Sequence, residues 1–569
     1  MSFKNLVGAL RAVQNKFDPD GAERQRACLG QLARLAFPLN ELTAHYHASL
    51  LFLAAHPQTR ELERRVAAEL VRLERFHKAR RHERPIAAWA DQGMAYVDIV
   101  TRFSHDATRW MLGHPHATVA LDSFDQPKAD LNHILKLTLP ALEHSETTAD
   151  CGNLELMDAL KVPPARRLPF LVQELSRHDG DPLLKDHLYD SLDVFLRIRA
   201  TNGRFSKARN RLTMPRGTVH QNEIVKTFDV AGLINTPLPA PRAMNSAERD
   251  DAIRVLKNTM ALTVRETDPC TYLEPGSLRV VDLERGLTCA VFGMTPDRQL
   301  PLESYVGFTL FKNGLPVAYG GAWIFGPRAA FGMNIFEPYR GGESGGMMAQ
   351  VLRTYRQTFH VDYFEVDAHQ FGLDNPEGIA SGAYWFYHRH GFRSIDAALD
   401  ALATSEKASI ERRPGYRSPA KTLLKLTGSN VALNFGSRVP MHIFDITTEV
   451  TRMAARRFDS NRLAMERESV AAFVKGAGWT QPPEVDEQRA LREWAAAAAA
   501  IGVKTAREYE LLAACVRAKP RDVLAYQDAV WAWQRETGRA GSVRLRRPVD
   551  AEPKRLIKPR IDDRRSVVP

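Results

Sequence analysis

The sequence has little cysteine and no long apolar run. Its five cysteines are widely scattered among 569 residues and form no Cys-x-x-Cys pair. This distribution argues against a disulfide framework and against a thiolate zinc site, and it is typical of reduced thiols. No apolar run approaches the roughly 18–20 residues that cross a bilayer, and the most apolar, Ser49–Ala55, is far shorter. The first eleven residues contain no sustained apolar segment, so we expect no signal peptide and a cytoplasmic protein without a membrane span.

Common nucleotide-binding and metal-binding motifs are absent as well. The chain has no Walker A motif and no His-Glu-x-x-His zinc motif. The pairs His45-x-His47 and His114-x-His116 would point their rings to different faces of a helix, and no further ligands accompany them. We therefore expect no metal.

Part of the formal net charge of +11 comes from one short segment near the C-terminus. Residues 544–565 hold nine Lys or Arg against four Asp or Glu, so this tail supplies +5 of the total. A nucleic-acid interface needs a clustered basic face with aromatic platforms, and the sequence shows none. We therefore expect no nucleic-acid binding, and we expect residues 541–569 to form a basic disordered tail.

Composition divides the rest of the chain. Helical periodicity, clearest in Arg60–His77, predicts a helical domain over residues 1–234. Residues 235–245, with three prolines in Asn235–Arg242, are predicted to be a linker. Residues 246–430 carry the strand signals, and residues 431–540 are predicted to be a second helical domain. Ser246, followed by three acidic residues, is expected to begin a helix.

The strand signals predict a mixed sheet, and hence an α+β fold flanked by helical domains. Asn313-Gly314 is a strong hairpin signal between two apolar segments. In chain order, the predicted elements are a strand in Gly286–Met294, a hairpin of Tyr305–Lys312 and Leu315–Phe325, a strand in Ala330–Phe336, a helix in Met347–Phe359, a strand containing Glu365 and Asp367, and a final sheet segment within Arg417–Phe435.

The most informative segment is the turn Tyr339-Arg-Gly-Gly-Glu-Ser-Gly-Gly346, which lies between a predicted strand and a predicted helix. Glycines at such a junction let the backbone approach a ligand, and the free amides of the helix start favour an anion. A diphosphate is the ligand that a turn of this kind commonly binds. Downstream, Ala383 and Tyr387 precede Gly391-Phe392 in an Ala-x-x-x-Tyr-x-x-x-Gly-Phe pattern.

Together these features resemble the GNAT superfamily of N-acyltransferases over residues 250–430. That family binds the pyrophosphate of acyl-coenzyme A with an (Arg/Gln)-x-x-Gly-x-(Gly/Ala) turn after its fourth strand. With Arg340 as the motif arginine, Gly345 falls on the second motif glycine and Glu343 on the first. Asn375 lies 12 residues before Tyr387, where the family has about seven, and residues 376–379 are the expected insertion.

The resemblance implies the site. The expected cofactor-binding residues are Arg340, Gly341, Gly342, Ser344, Gly345, Gly346 and Asn375. Tyr387 is implied to be the general acid that protonates the departing thiolate, because a phenol has a pKa near that of a thiol. For the base that takes a proton from the amine, the strand-end carboxylate Glu337 is the first candidate. Glu365, Asp367, His369 and His388 remain alternatives.

The implied function is transfer of an acyl group from acyl-coenzyme A to an amine of unknown class by direct attack. An acyl carrier protein is an alternative donor, since its pantetheine carries one phosphate and tolerates Glu343 in the turn. A second hypothesis is a catalytically degenerate GNAT-like scaffold whose helical array binds a protein partner. We also expect the N-terminal helices to pack over the sheet, with Lys207, Arg209 and Arg211 lining an approach for an acidic acceptor or carrier.

Overall fold

The computed structural model describes residues 1–83, 85–148, 150–177, 182–225, 228–481 and 483–539. These residues form an α+β protein with a three-stranded and an eight-stranded sheet. The predicted disordered tail, residues 541–569, lies outside the described residues. No helix among the described residues is both long enough and apolar enough to cross a membrane.

Four capped helices begin the chain. Their N-terminal side chains, Ser2, Asp18, Asn40 and Thr59, each accept a hydrogen bond from a backbone N–H of the first turn. The helices are α1 (Phe3–Val13), α2 (Pro19–Leu32), α3 (Glu41–Ala55) and α4 (Arg60–Arg80). Their apolar side chains share one continuous core with the eight-stranded sheet. Helix α3 is buried along nearly its whole surface because it lies between the other helices and the sheet.

The prediction of helix throughout residues 1–234 is wrong for part of residues 99–200. This region contains an antiparallel sheet in the order β1-β3-β2 with its own core. In order, its elements are β1 (Ile99–Thr101), α5 (His105–Leu112), β2 (Ala117–Phe124), α6 (Leu131–Leu135), α7 (Asn153–Ala159), α8 (Arg167–Ser176), α9 (Pro182–Ser191) and β3 (Val194–Ala200). In β3 the buried Leu196 and Ile198 alternate with Arg197 and Arg199, which is the period of a strand.

The central region is a sheet with helices on both faces. Its elements are α10 (Val230–Asn235), α11 (Ser246–Leu262), α12 (Asp268–Thr271), β4 (Arg279–Asp282), β5 (Leu287–Phe292), β6 (Ser304–Lys312), β7 (Leu315–Phe325), β8 (Arg328–Ile335), α13 (Ser344–Phe359), β9 (Tyr363–Val366), α14 (Pro376–Ser381), α15 (Ala383–Arg389), β10 (Arg393–Ser394), α16 (Ala397–Arg412), α17 (Ala420–Leu426) and β11 (Val431–Asn434). The strand order is β10-β11-β9-β8-β7-β6-β5-β4, and only β8 and β9 are parallel.

The predicted hairpin about Asn313-Gly314 is confirmed, since β6 and β7 pair on either side of it. Both turn residues have positive φ, as a two-residue hairpin turn requires. The helix beginning at Ser246 is also confirmed, and Asn245 caps it. Helix α13 packs on one face of the sheet, against Phe308 and its neighbours. Helix α11 packs on the opposite face.

The C-terminal helices cover one end of β7. They are α18 (Ile443–Arg457), α19 (Arg462–Gly476), α20 (Gln488–Ala500), α21 (Ala506–Ala518) and α22 (Val523–Thr537), in agreement with the predicted return to helix. Trp494 and Trp533 pack around Phe325 at the end of β7. The buried side chain of Gln527 bonds to Ser304 and to the backbone of Ile324.

The proline-rich segment 235–242 lies along α13. The buried guanidinium of Arg353 donates to the carbonyl oxygens of Thr236 and Pro237, at 2.8 and 2.5 Å. Gln357 accepts from the backbone N–H of Leu238 at 2.8 Å. Arg242 then forms a two-point ion pair with Asp282 of β4. The chain is thus fixed to the sheet and to α13 before α11 begins.

Candidate functional site

The glycine-rich turn joins β8 to the N-terminus of α13. A short 3-10 turn, Glu337–Tyr339, follows β8, and Gly341 has a φ of 81°, which glycine adopts without a steric penalty. Among the described residues, no hydrogen bond uses the backbone N–H groups of Gly341, Gly342, Ser344, Gly345 and Gly346. Five N–H groups at the start of a 16-residue helix are therefore available to an anion.

The sheet opens beside this turn. Strands β8 and β9 pair only from Arg328 opposite Tyr363 to Ala330 opposite Glu365. Strand β8 continues to Ile335, paired with β7, whereas β9 ends at Val366. One backbone edge of residues 331–335 therefore has no partner strand among the described residues. This gap and the free N–H groups both lie at the C-terminal end of β8.

Glu343 points away from the turn into a buried ion cluster. Nζ of Lys312 donates to Oε2 of Glu343 at 2.7 Å and to the carbonyl oxygen of Arg285 at 2.8 Å. The guanidinium of Arg285 donates to Oε1 of Glu343 at 2.7 and 3.0 Å. Burial alone would raise the pKa of Glu343, but the ammonium of Lys312 and the guanidinium of Arg285 lower it below its ordinary value. Glu343 therefore stays ionised, and Lys312 and Arg285 compensate its negative charge on the buried side of the turn.

Arg340 and Asn375 are occupied by protein partners. Nη1 of Arg340 donates to Glu377 at 2.7 Å, and both side chains are more than half exposed. The side chain of Asn375 caps α14 by accepting from Gly378 at 3.1 Å, while its amide donates to the carbonyl oxygen of His369 at 3.0 Å. The contact with Glu377 places Asn375 near the turn. Its amide would have to leave these partners in order to bind a ligand.

The first turn of α13 contacts the end of α15. A Cβ atom on Gly345 would lie 2.3 Å from Nε2 of His390, so glycine is required there by close packing. Nδ1 of His390 lies 2.6 Å from the carbonyl oxygen of Phe386, and Phe228 stacks on the ring. Gly346 is different, because a Cβ atom there would meet only Phe228, at 3.9 Å.

Helix α3 covers another side of the turn. A Cβ atom on Gly342 would lie 3.5 Å from the ring of Phe52 and 3.7 Å from Nε2 of His56. His56 is fully buried; its Nδ1 contacts the carbonyl oxygen of Phe52, and its Nε2 has no hydrogen-bond partner among the described residues. Burial lowers the pKa of His56 to about 3, so the ring is neutral. Sequence reasoning missed this contact, since nothing local links residues 52 and 342.

Residues Gly342–Gly346 also read Gly-x-Ser-x-Gly, the pattern of a serine-hydrolase nucleophile elbow. The geometry differs from that of an elbow. Ser344 is the first residue of α13, lies nine residues after the last residue of β8 and is not among the residues with positive φ. No histidine among the described residues bonds to its hydroxyl. The strained strand-to-helix turn and the Ser–His pair of a hydrolase are therefore absent from the described residues.

Tyr387 lies on α15 within an aromatic cluster. Its ring packs edge-on against Phe371, Phe386 and Phe392, with centroids 5.4–6.2 Å apart. The side chain is 5% exposed, and burial raises the pKa of its phenol. No hydrogen bond to the hydroxyl is formed among the described residues. Tyr387 is therefore a protonated donor, and it lies three residues before His390, which contacts α13.

The candidate bases differ in availability. Glu337 is exposed at the end of β8. Glu365 is held by Arg328 and by Asn430, whose amide donates to it at 2.7 Å. Asp367 accepts from the backbone N–H of His369. His388 is buried and its pKa is lowered to about 4, first by desolvation. Among these groups Glu337 is the nearest in sequence to the free amides, since it lies two residues before the turn begins.

The turn residues and Glu337 thus lie at the C-terminal end of β8, whereas Glu365 is bound to Arg328 at the start of that strand. No group of three or more His, Cys, Asp or Glu side chains in the described part of the chain could hold a metal ion. Comparisons with known protein families, with curated proteins and with solved structures give no match for this chain.

Proposed function

We propose that the chain is an N-acyltransferase that moves an acyl group from a pantetheine thioester to an amine. One observation carries the proposal: the parallel pair β8–β9 separates directly beside a turn with five unpaired N–H groups. A backbone edge for the pantetheine arm and an anion site for its phosphate are thus adjacent. Acyl-coenzyme A and an acylated carrier protein both present an acyl group on such a pantetheine thioester.

The charges of the turn support anion binding. Glu343, the one carboxylate in the turn, is turned inward and neutralised by Lys312 and Arg285. Arg340 is bound to Glu377, but exposed ion pairs contribute only about 0–1 kcal/mol, so a phosphate can replace the carboxylate at little cost. The N-terminus of α13 adds its partial positive charge.

The thioester arm would lie along residues 331–335. The carbonyl oxygen of Ile335 accepts from Nε of Arg340 at 3.2 Å, and the rest of this edge offers N–H and C=O groups that suit the two amides of pantetheine as an added strand would. In the reaction the amine nitrogen attacks the thioester carbon, and the C–S bond breaks. The thiolate takes its proton from the phenol of Tyr387, and the proton of the new ammonium passes through water to Glu337. Tyr387 regains its proton from solvent after the thiol leaves.

Free-thiol release tests the proposal. The purified chain is mixed with acetyl-coenzyme A, or with an acetylated carrier protein, and with a panel of amines. We expect amine-dependent thiol release that falls about 100-fold or more in Tyr387→Phe, in the range of general acid catalysis. Tyr384→Phe is the matched control, because Tyr384 is equally buried on the same helix and its hydroxyl is likewise unpartnered in the described structure. Equal losses in both variants would assign Tyr387 to packing.

A second candidate is a scaffold without catalysis. It is favoured by the contacts of His390 with Gly345 and of α3 with Gly342, which fill part of the turn with protein. On this reading the helices bind a partner protein and the turn binds nothing. Absence of thiol release with both donors, together with absence of coenzyme A binding, would favour the scaffold.

A further inference from the structure

A cavity lies between helices α3 and α4 and residues 206–211, and its Arg211 is close enough to the glycine turn for its charge to act on Tyr339. Its volume is about 380 Å³, which is within the range of about 300–1,000 Å³ found for small-molecule sites. One wall is apolar, formed by Ala67, Leu70 and Val71 of α4 and by Met94 and Ala95 opposite. The proposed acyl transfer does not use this cavity.

Two buried histidines face this cavity. His47 of α3 is 5% exposed and His77 of α4 is 3% exposed. Nε2 of His77 has no hydrogen-bond partner among the described residues, and no hydrogen bond to His47 is formed there. A buried polar group without a partner is costly, so a ligand or an ordered water is expected to satisfy it. Burial lowers the pKa of His47 to about 3 and of His77 to about 4, so both rings are neutral and can donate and accept.

Two arginines line the cavity, and in the described part of the chain only one of them forms an ion pair. The guanidinium of Arg209 is paired with Glu74, at 2.9 and 3.0 Å. Arg211 has no carboxylate within ion-pair distance among the described residues, and only its Nε is engaged, by the carbonyl oxygen of Ala208 at 2.9 Å. Glu63 acts on the charge of Arg211 only from beyond ion-pair distance, so the site presents one guanidinium without a direct carboxylate partner beside an apolar wall and two neutral imidazoles.

We propose that this cavity is a binding site for a small organic acid, a molecule with one carboxylate on an apolar body. The carboxylate pairs with the free Nη groups of Arg211, since a guanidinium matches a carboxylate in geometry and charge. The apolar body lies against α4. One free guanidinium suits a monoanion better than a phosphate dianion.

Titration calorimetry with matched probes tests this proposal on the full chain. The acids are 3-phenylpropionate and octanoate, and the neutral control is 3-phenylpropan-1-ol. We expect at least one acid to bind, and 3-phenylpropionate to bind at least about tenfold more tightly than the alcohol, as expected for a charge-assisted hydrogen bond. Arg211→Gln should abolish this preference. Arg75→Gln, on the exposed side of α4, removes the same charge outside the cavity and should preserve it.

A cavity-filling variant locates the binding. Ala208 lines the cavity and is partly exposed, so Ala208→Phe should fill the cavity and weaken both acids at least about tenfold. Its thermal unfolding is measured in parallel to show that it folds. The proposal is overturned if neither acid binds to the wild-type chain, if acid and alcohol bind equally, or if a folded Ala208→Phe binds the acids unchanged. Since none of these readouts involves thioesters, the outcome is separate from that of the proposed acyl transfer.

Discussion

At the scale of single residues, the ions beneath the turn have the largest energetic consequence. Lys312 is fully buried, and burial lowers its pKa to about 8 although Glu343 opposes the shift. A buried ion pair is costly to break, because removing one partner leaves the other charge buried without compensation. The cluster therefore fixes the direction of Glu343, and with it the charge of the turn.

We predict that Lys312→Met lowers the free energy of unfolding by about 3 kcal/mol, as for other broken buried pairs. The double variant Lys312→Met, Glu343→Gln should recover part of this loss, because the stranded carboxylate becomes neutral. Urea denaturation of the four members of the cycle measures the coupling, with the exposed Lys425→Met as control. A double variant as unstable as the sum of the single variants would show that the two side chains are not coupled.

A second residue-scale prediction concerns Glu303, which lies between the sheet and the C-terminal helices. Burial raises the pKa of Glu303 to about 7, against the opposing charges of Lys519 and Arg328. Because its pKa is raised in the folded state, its contribution to stability is complete below its ordinary pKa of about 4.3 and is lost as the pH rises through 7. Glu303→Gln should therefore reduce the loss of stability between pH 5 and pH 8.

We expect the difference between wild type and Glu303→Gln to change by about 1–2 kcal/mol across this interval, measured by urea denaturation at each pH. The exposed Glu143→Gln should leave the wild-type pH dependence unaltered. Parallel curves for wild type and Glu303→Gln would show that Glu303 is ionised throughout.

At the scale of elements, α13 connects the fold to the proposed site. In its first turn, Gly346 can be substituted without a steric clash because a side chain has space there. Any side chain at Gly345 would clash with His390. A Gly345→Asp variant therefore could not separate lost binding from lost packing. An aspartate in the first turn of a helix is favourable to the helix itself.

We predict that Gly346→Asp retains the wild-type melting temperature within a few degrees but weakens coenzyme A binding at least about tenfold, because the added charge opposes the diphosphate. Gly346→Asn is the matched neutral control, with nearly the same shape. Calorimetry and thermal unfolding are run on all three proteins. Equal affinities for the Asp and Asn variants would mean that the anion does not bind at this helix start.

Local signals explain which elements could be predicted from the sequence. Asn313-Gly314 specified the β6–β7 hairpin because few residues adopt its backbone conformation, and the acidic residues after Ser246 marked the start of α11. Strands β1 to β3 were missed because they are short or lie beside helical segments, as β3 does after α9. The partners of the turn, Lys312, His56 and His390, are distant in sequence, so only tertiary packing brings them together.

At the scale of the whole molecule, the N-terminal helices and the sheet share one core. Leu50 and Phe52 of α3 belong to the same cluster of buried side chains as Phe308 and Leu352. We predict that a chain starting at Ser246 lacks a cooperative thermal transition and binds a hydrophobic dye, because this face is exposed. A chain ending at residue 539 is the control and should melt as the full chain does. A cooperative transition for the chain from Ser246 would contradict the shared core.

The central claim is that the turn before α13 binds the phosphate end of a pantetheine thioester. Calorimetric titration of the full chain with coenzyme A tests it most directly, with an acyl carrier protein as the second titrant. The account predicts saturable one-site binding of at least one of these donors, reduced in Gly346→Asp and retained in Gly346→Asn. Absence of binding by both donors to the folded wild-type chain would contradict it.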